Sequence, residues 1–150
     1  MSSSAGARFR SAMQQQNANE LPLQIAGTIN AYTAMMATQV GHKAIYLSGA
    51  GVANASFGLP DLGMTSLDNV LEDARRITDA VDTPLLVDID TGFGNCKKTI
   101  EVFESKGLAG CHLEDQIAEK RCGHLDNKEL VSKEEMVKKI KESIKARKDK

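Results

Sequence analysis

The sequence is poor in aromatic residues and in cysteine. It contains no tryptophan, and phenylalanine and tyrosine together make up 4% of its 150 residues. Its three cysteines are an odd number with no CxxC pair, which argues against a disulfide framework and against a structural zinc site. We therefore expect reduced thiols and a cytoplasmic location.

A long apolar run and an excess of basic charge are also lacking. No segment approaches the roughly 20 apolar residues that a membrane-spanning helix needs, so we expect no membrane partner. The formal net charge is −1, and residues 138–150 hold seven Lys or Arg against two acids. The remaining chain is acidic and offers nucleic acid no basic face, so we expect no nucleic-acid partner.

The chain instead has the composition of one globular domain, with 41% hydrophobic and 26% charged residues. Four short apolar segments lie at residues 23–30, 44–49, 85–90 and 110–115. Each lacks strict alternation, which is typical of parallel strands covered on both faces. Helical patterns separate or follow them: residues 31–40, a helix capped by Thr65 or Ser66, residues 97–106, and a helix after Ser132. The pattern predicts four consecutive βα units.

The fourth helix has the clearest signals. Ser132 and Glu135 have the spacing of a capping box. Val137, Ile140 and Ile144 recur at helical spacing and are predicted to form the buried face.

Two architectures accommodate four βα units: an open doubly wound sheet, or part of a β/α barrel. The Gly-rich residues 48–51 resemble the start of a dinucleotide fingerprint but lack its third glycine, so this signal is weak. Polar side chains follow all four strands: Asn30, Ser48, Asp88, Asp90, Glu114 and Asp115. Four successive strands with polar groups at the same end are typical of a barrel's active face, whereas an open sheet concentrates its site at one switch point.

Three carboxylates on two strands point to a metal. Residues two apart in a strand share a side, so Asp88 projects with Asp90, and His112 projects with Glu114. Converging carboxylates repel one another unless a cation or proton intervenes. Oxygen ligands with few nitrogens favour Mg²⁺, with Mn²⁺ as an alternative. The competing interpretation is that these acids cap loops or pair with Lys and Arg.

Cys122 lies in the most unusual stretch, the Lys-Arg-Cys-Gly-His of residues 120–124. Neighbouring positive charge favours the thiolate and makes the thiol a ready proton donor and acceptor. The stretch follows the fourth strand in a loop of about 15 residues, longer than an ordinary βα connection and typical of a lid. Cys96 and Cys111 are interpreted as small buried hydrophobic residues.

These motifs together resemble the isocitrate lyase/phosphoenolpyruvate mutase superfamily. The resemblance runs from about Phe9 to the end and is carried by residues 46–49, 58–61, 85–94, 112–116, 120–124 and 131–136. The cysteine in 120–124 is typical of the lyase branch, and residues 46–49, 58–61 and 131–136 narrow the resemblance to the enzymes that cleave 2-methylisocitrate. The resemblance implies Mg²⁺-dependent cleavage of this tricarboxylate to pyruvate and succinate, in propionate catabolism through the methylcitrate cycle. It also implies a homo-oligomer, as in the family tetramer.

The resemblance implies specific roles for individual residues. Asp88 and Asp90 would hold the metal. Asp61 and Glu114 would lie in its water-mediated outer shell. The residues implied to bind substrate are Ser48, Gly49, Ala50, Cys122 and Gly123. Cys122 would also protonate the departing succinate carbanion.

Three features depart from the family pattern. Ala50 replaces the usual glycine, the third helix is about one turn short, and the chain has about half the length of a complete barrel. We therefore expect the N-terminal (βα)4 half of a TIM-type (β/α)8 barrel, in a single domain over residues 1–150 that is incomplete at the C-terminus. Two alternatives stay open: a non-catalytic half-barrel that pairs with itself or with a full-length subunit, and a related lyase or decarboxylase for another 2-hydroxy or 2-oxo diacid.

Overall fold

Four parallel strands form one sheet in the order β1-β2-β3-β4. The computed structural model describes residues 3–18 and 21–149, so positions 1, 2, 19, 20 and 150 of the expected domain lie outside the described residues. The strands are β1 (Ala26–Gly27), β2 (Ile45–Leu47), β3 (Leu85–Asp88) and β4 (Gly110–His112). In register, Ile45 lies opposite Leu85 and Asp88 lies opposite His112. The predicted α/β fold is confirmed, with strands shorter than the apolar segments.

Six helices accompany the strands in the described ranges. They are α1 (Ala5–Ala18), α2 (Ala31–Gln39), α3 (Gly49–Phe57), α4 (Leu67–Ala80), α5 (Cys96–Ser105) and α6 (Lys133–Ala146). The four predicted helices are α2, α4, α5 and α6, while α1 and α3 were not predicted. Among the described residues, no helix combines the length and apolarity needed to cross a membrane.

One side of the sheet carries the hydrophobic core. The buried strand residues pack with residues of α2, α4 and α5 in a single cluster that includes Ala34, Ile45, Leu47, Val70, Ala74, Ile77, Leu85, Val87 and Phe103. The opposite side holds half-buried Tyr46 and Asp88 and exposed His112. The expectation that the strands are covered on both faces holds for β3, where Leu85, Leu86 and Val87 are all buried, and is wrong at Tyr46, Asp88 and His112, which are half-buried or exposed. The polar side is where the site lies.

The fourth predicted helix begins as expected but packs differently. Ser132 accepts a hydrogen bond from the backbone N–H of Glu135 at 3.1 Å, and this is the half of the predicted capping box that forms. The predicted buried face is wrong, because Val137, Ile140 and Ile144 are 38%, 42% and 51% exposed. Instead α6 lies against α5 through a neighbouring face, on which Ala146 is buried and Ser143 approaches Cys96.

Candidate active site

Two carboxylates, one on the last residue of β3 and one two residues beyond it, lie against the start of α3. The Gly49 N–H donates to Asp88 Oδ2 at 3.3 Å, and the Asp90 N–H donates to Asp88 Oδ1 at 3.0 Å. A Cβ on Gly49 would lie 3.2 Å from both Asp88 Oδ2 and Asp90 Oδ1. The structure therefore brings Asp88, Asp90 and Gly49 together, and a side chain at position 49 would crowd both carboxylates.

The backbone after β3 turns tightly to place Asp90. Its φ is +48°, and Gly92, Phe93 and Gly94 also have positive φ values, of 97°, 50° and 75°. A left-handed aspartate and phenylalanine are uncommon and are tolerated where surrounding contacts hold them. One such contact is the Glu114 N–H, which donates to the Asp90 carbonyl at 2.8 Å. The turn thereby joins the end of β3 to the end of β4.

Lys120 is the cation of the site. Its side chain is 2% exposed, and Nζ lies 2.6 Å from Asp90 Oδ1 and 2.9 Å from Asp61 Oδ1. Asp90 Oδ1 is buried and has no other donor among the residues described. The stem of Lys120 runs past Gly63, where a Cβ would lie 3.2 Å from Lys120 Cγ. Sequence reasoning treated Lys120 only as a charge near Cys122, since nothing local links it to Asp61, 59 residues away.

Burial and charge act in opposite directions on these groups. Burial raises the pKa of Asp90, and the hydrogen bond and charge of Lys120 limit the rise. Burial likewise raises the pKa of Glu114. The charge of Lys120 limits this rise, and the negative charges of Asp88 and Asp90 add to it. Burial alone would lower the pKa of Lys120, but its bonds to Asp90 and Asp61 raise it above its ordinary value. Lys120 is therefore a permanent cation among carboxylates.

These residues fit a divalent cation in chemistry. Asp88 and Asp90 direct carboxylate oxygens into one small space, and Mg²⁺ commonly binds through one or two carboxylates while keeping several waters. The Lys120 ammonium beside Asp90 demonstrates that this space attracts positive charge. Within the described ranges, no three His, Cys, Asp or Glu side chains converge as a complete ligand set. Any metal would therefore be held by the pair Asp88 and Asp90, with water supplying the rest.

The segment after β2 is a helix start rather than a nucleotide loop. Ser48 caps α3 by accepting from the Gly51 N–H at 3.4 Å. Ala50 lies in the first turn, outside the left-handed region, and its carbonyl accepts from Asn54 Nδ2 at 2.7 Å. The methyl group of Ala50 is therefore compatible with the local backbone. Ser48, Gly49 and Ala50 are consecutive at the start of α3, and Gly49 is the residue that contacts the carboxylates of Asp88 and Asp90.

Cys122 lies on the loop that follows β4. The thiol is half-buried, and among residues 3–18 and 21–149 it makes no hydrogen bond or ion pair. Of the cations that flank the thiol in sequence, the Lys120 ammonium is bound by Asp90 and Asp61, and Arg121 Nη1 donates to the Asp126 carbonyl at 3.4 Å. Gly123 of the same loop and Glu114 line one open cavity of about 470 Å³.

Tyr46 is a site residue that sequence reasoning missed. Its ring lies 5.3 Å from the ring of His112, on the polar side of the sheet. Burial raises the pKa of Tyr46 to about 12, and the charges of Asp88 and Glu114 add to the rise. Period-two spacing could have revealed it, because Tyr46 lies two residues before Ser48 and shares its side.

This raised pKa is directly measurable, because the chain has only two tyrosines. Absorbance at 295 nm on alkaline titration should contain a phenolate step at about pH 12. Tyr46→Phe should remove that step, whereas Tyr32→Phe, at a 70% exposed position, should leave it. Because the folded-state pKa is raised, this group's contribution to stability is lost as the pH rises from about 10 through 12. An unchanged late step in Tyr46→Phe would contradict the assignment.

Comparison with known proteins identifies the family. The family model described as phosphoenolpyruvate phosphomutase matches residues 9–150. The chain belongs to the phosphoenolpyruvate mutase family. Its relatives include proteins named 2-methylisocitrate lyase from Shewanella oneidensis, 60% identical over 152 residues, and from Vibrio cholerae, 58% identical over 150 residues. They cover 99% and 98% of this chain, which spans 51% and 47% of their lengths.

Solved structures of the family share the fold. Oxaloacetate acetylhydrolase in complex with 3,3-difluorooxalacetate superposes with a TM-score of 0.87 at 32% identity, over 95% of this chain and 49% of its own. Phosphonopyruvate hydrolase in complex with oxalate and Mg²⁺ superposes with a TM-score of 0.78 at 29% identity, over 98% of this chain and 50% of its own. The four-strand sheet therefore corresponds to the N-terminal half of a TIM-type barrel, as predicted.

Proposed function

We propose that this chain supplies the metal-binding and proton-donating half of a 2-methylisocitrate lyase, which cleaves 2-methylisocitrate to pyruvate and succinate. The observation that carries the proposal is the carboxylate pair Asp88 and Asp90 at the carboxyl end of β3, in a chain 60% identical to a protein of that name. The reaction belongs to propionate catabolism through the methylcitrate cycle, and we place it in the cytoplasm.

Each predicted site residue has a part in this proposal. Asp88 and Asp90 hold Mg²⁺, or alternatively Mn²⁺. Asp61 and Glu114 would lie in its water-mediated outer shell. The substrate is a tricarboxylate anion, and the groups that would receive a carboxylate are the Ser48 hydroxyl and the backbone N–H groups of Gly49, Ala50 and Gly123. The Mg²⁺ in the phosphonopyruvate hydrolase complex, a family member, supports the choice of metal.

Cleavage requires an electron sink and a proton. The bond between the carbinol carbon and the adjacent CH carbon breaks as the hydroxyl proton passes to solvent, which afterwards reprotonates the Cys122 thiolate, and the hydroxyl carbon becomes the ketone of pyruvate. The electron pair remains on the carbon that becomes a methylene of succinate, and Cys122 donates a proton there. A bound divalent cation supplies Lewis acidity toward the developing ketone oxygen. Lys120 offsets the negative charge of Asp90 and Asp61 while the substrate anion is bound.

The assembly is part of the proposal, because the described sheet has open edges at β1 and β4. We propose a homo-oligomeric enzyme. The two alternatives are a non-catalytic half-barrel that pairs with itself or with a full-length subunit, and an enzyme for another 2-hydroxy or 2-oxo diacid. The second is favoured by the similarity to oxaloacetate acetylhydrolase, but the identity to that protein, 32%, is about half the identity to the lyase.

Transplanting the chain tests the function. In the S. oneidensis lyase, the aligned segment would be replaced by this chain, and pyruvate release from 2-methylisocitrate would be measured with Mg²⁺, with EDTA, and after Mg²⁺ is restored. We expect release by the chimera, loss with EDTA and recovery with Mg²⁺. The purified chain alone, assayed in parallel, reports whether it assembles a working site without the second half.

Other outcomes separate the alternatives. A chimera that folds with the circular dichroism of its parent but releases no pyruvate would overturn the proposal in favour of the non-catalytic half-barrel. Turnover of oxaloacetate or isocitrate in preference to 2-methylisocitrate would reassign the substrate. Activity that EDTA leaves unchanged would remove the metal role of Asp88 and Asp90.

A further inference from the structure

Gln116 is a buried side chain that no step above uses. It is 4% exposed, and all three of its polar contacts are short. Nε2 donates to Glu114 Oε2 at 2.9 Å and to the Arg121 carbonyl at 2.9 Å. Oε1 accepts from the Arg121 N–H at 3.0 Å. The amide thus pairs with both backbone groups of Arg121, as a strand residue would.

The same residue lies at the base of the loop that carries Cys122. Gln116 forms an isolated antiparallel bridge with Leu130. On either side of it, the Ile117 N–H donates to the Glu129 carbonyl at 3.0 Å and the Val131 N–H donates to the Asp115 carbonyl at 2.8 Å. The backbone on either side of Gln116 therefore closes the loop at its base, while the Gln116 side chain reaches across to the residue before Cys122.

We propose that Gln116 is a positioning residue, whose amide holds the Arg121 backbone and thereby fixes Cys122 and Gly123 relative to Glu114. The side chain is suited to this because a primary amide offers a donor and an acceptor at the spacing of a peptide group. A carboxylate could not donate to Glu114, and an apolar residue would leave the Arg121 N–H without its acceptor. The inference rests on the proposed role of Cys122.

Two readouts test the positioning role of Gln116 without any enzymatic activity. Gln116→Met keeps the length and apolar volume of the side chain and removes all three hydrogen bonds. We expect amide hydrogen exchange at Arg121 to become at least about tenfold faster. Alkylation of Cys122 by iodoacetamide, followed by mass spectrometry of its peptide, should accelerate about fivefold because the loop opens more often. Glu119→Gln, an exposed change in the same loop, is the control and should alter neither rate by more than about twofold.

A third readout distinguishes a positioning role of Gln116 from a general contribution to the stability of the fold. In the S. oneidensis chimera, Gln116→Met should lower kcat at least about tenfold and raise KM by a smaller factor, since Cys122 and Gly123 are displaced while the proposed substrate contacts of the Ser48–Ala50 segment remain. In Gln116→Glu the side chain retains an acceptor for the Arg121 N–H. The Arg121 amide should therefore exchange more slowly in Gln116→Glu than in Gln116→Met.

Specific results would overturn the positioning role of Gln116. Unchanged exchange at Arg121 and unchanged alkylation of Cys122 in Gln116→Met would do so, as would global unfolding of both variants, because Gln116 would then belong to the core. Loss of kcat with full Arg121 protection would assign Gln116 to the chemistry itself. If the chimera lacks lyase activity but the exchange and alkylation results hold, the positioning role of Gln116 stands and only the proposed function fails.

Discussion

Lys120→Met is expected to lower the free energy of unfolding by about 3–5 kcal/mol at pH 7, because it leaves buried carboxylates without their cation. The ammonium is 2% exposed and lies 2.6 Å from Asp90 Oδ1 and 2.9 Å from Asp61 Oδ1. Methionine fills much of the same volume, so lost packing contributes little. Urea unfolding followed by circular dichroism measures the loss. Lys97→Met, at an exposed lysine 3.9 Å from Glu101, is the matched control and should cost less than about 0.5 kcal/mol.

The pH dependence of the stability lost in Lys120→Met identifies the cause of that loss. Burial already raises the pKa of Asp90, and removing the cation raises it further. A carboxyl with a raised folded-state pKa contributes stability below about pH 4, and loses it as the pH rises through the folded value. The stability gap between wild type and Lys120→Met should therefore narrow as the pH falls from 7 toward 4. A gap below about 1 kcal/mol at pH 7 would contradict a buried ion pair at this site.

Local sequence patterns predicted the elements that positioned the carboxylates. Period-two spacing placed Asp88 and Asp90 on one side after a buried strand, and the structure joins them through a backbone hydrogen bond. Capping residues located helix starts, as at Ser66 and Ser132. These signals succeed because caps and strand alternation depend on residues within four positions of one another.

Features that depend on distant residues were missed or wrong. The spacing of Val137, Ile140 and Ile144 defined an apolar face, but tertiary packing against α5 uses a different face of α6. Helix α3 begins in a Gly-Ala-Gly run with poor helix propensity, which resembled the start of a dinucleotide fingerprint. The Lys120 ion pairs join residues 59 and 30 positions apart, so no local pattern reports them.

Cys122→Ala is expected to lower kcat for pyruvate release by about 10²–10⁴-fold in the S. oneidensis chimera, the usual contribution of a positioned general acid. The half-buried thiol makes no hydrogen bond or ion pair within the described part of the chain, so its removal should leave the fold intact. KM should change little, because the proposed substrate carboxylate contacts come from backbone groups and Ser48. Steady-state kinetics and thermal unfolding, measured on the same samples, separate the two effects.

Another cysteine of the chain supplies the matched control. Cys111 lies on β4 and packs against the core, on the side of the sheet away from His112. Burial raises the pKa of Cys111 to about 11, so its thiol reacts slowly near neutral pH. Cys111→Ala should therefore keep kcat within about twofold, and iodoacetamide should inactivate Cys111→Ala as fast as it inactivates the unmodified chimera. If Cys122→Ala retained more than about a tenth of kcat, the proton would have to come from another group, and the loop would serve only to cover the site.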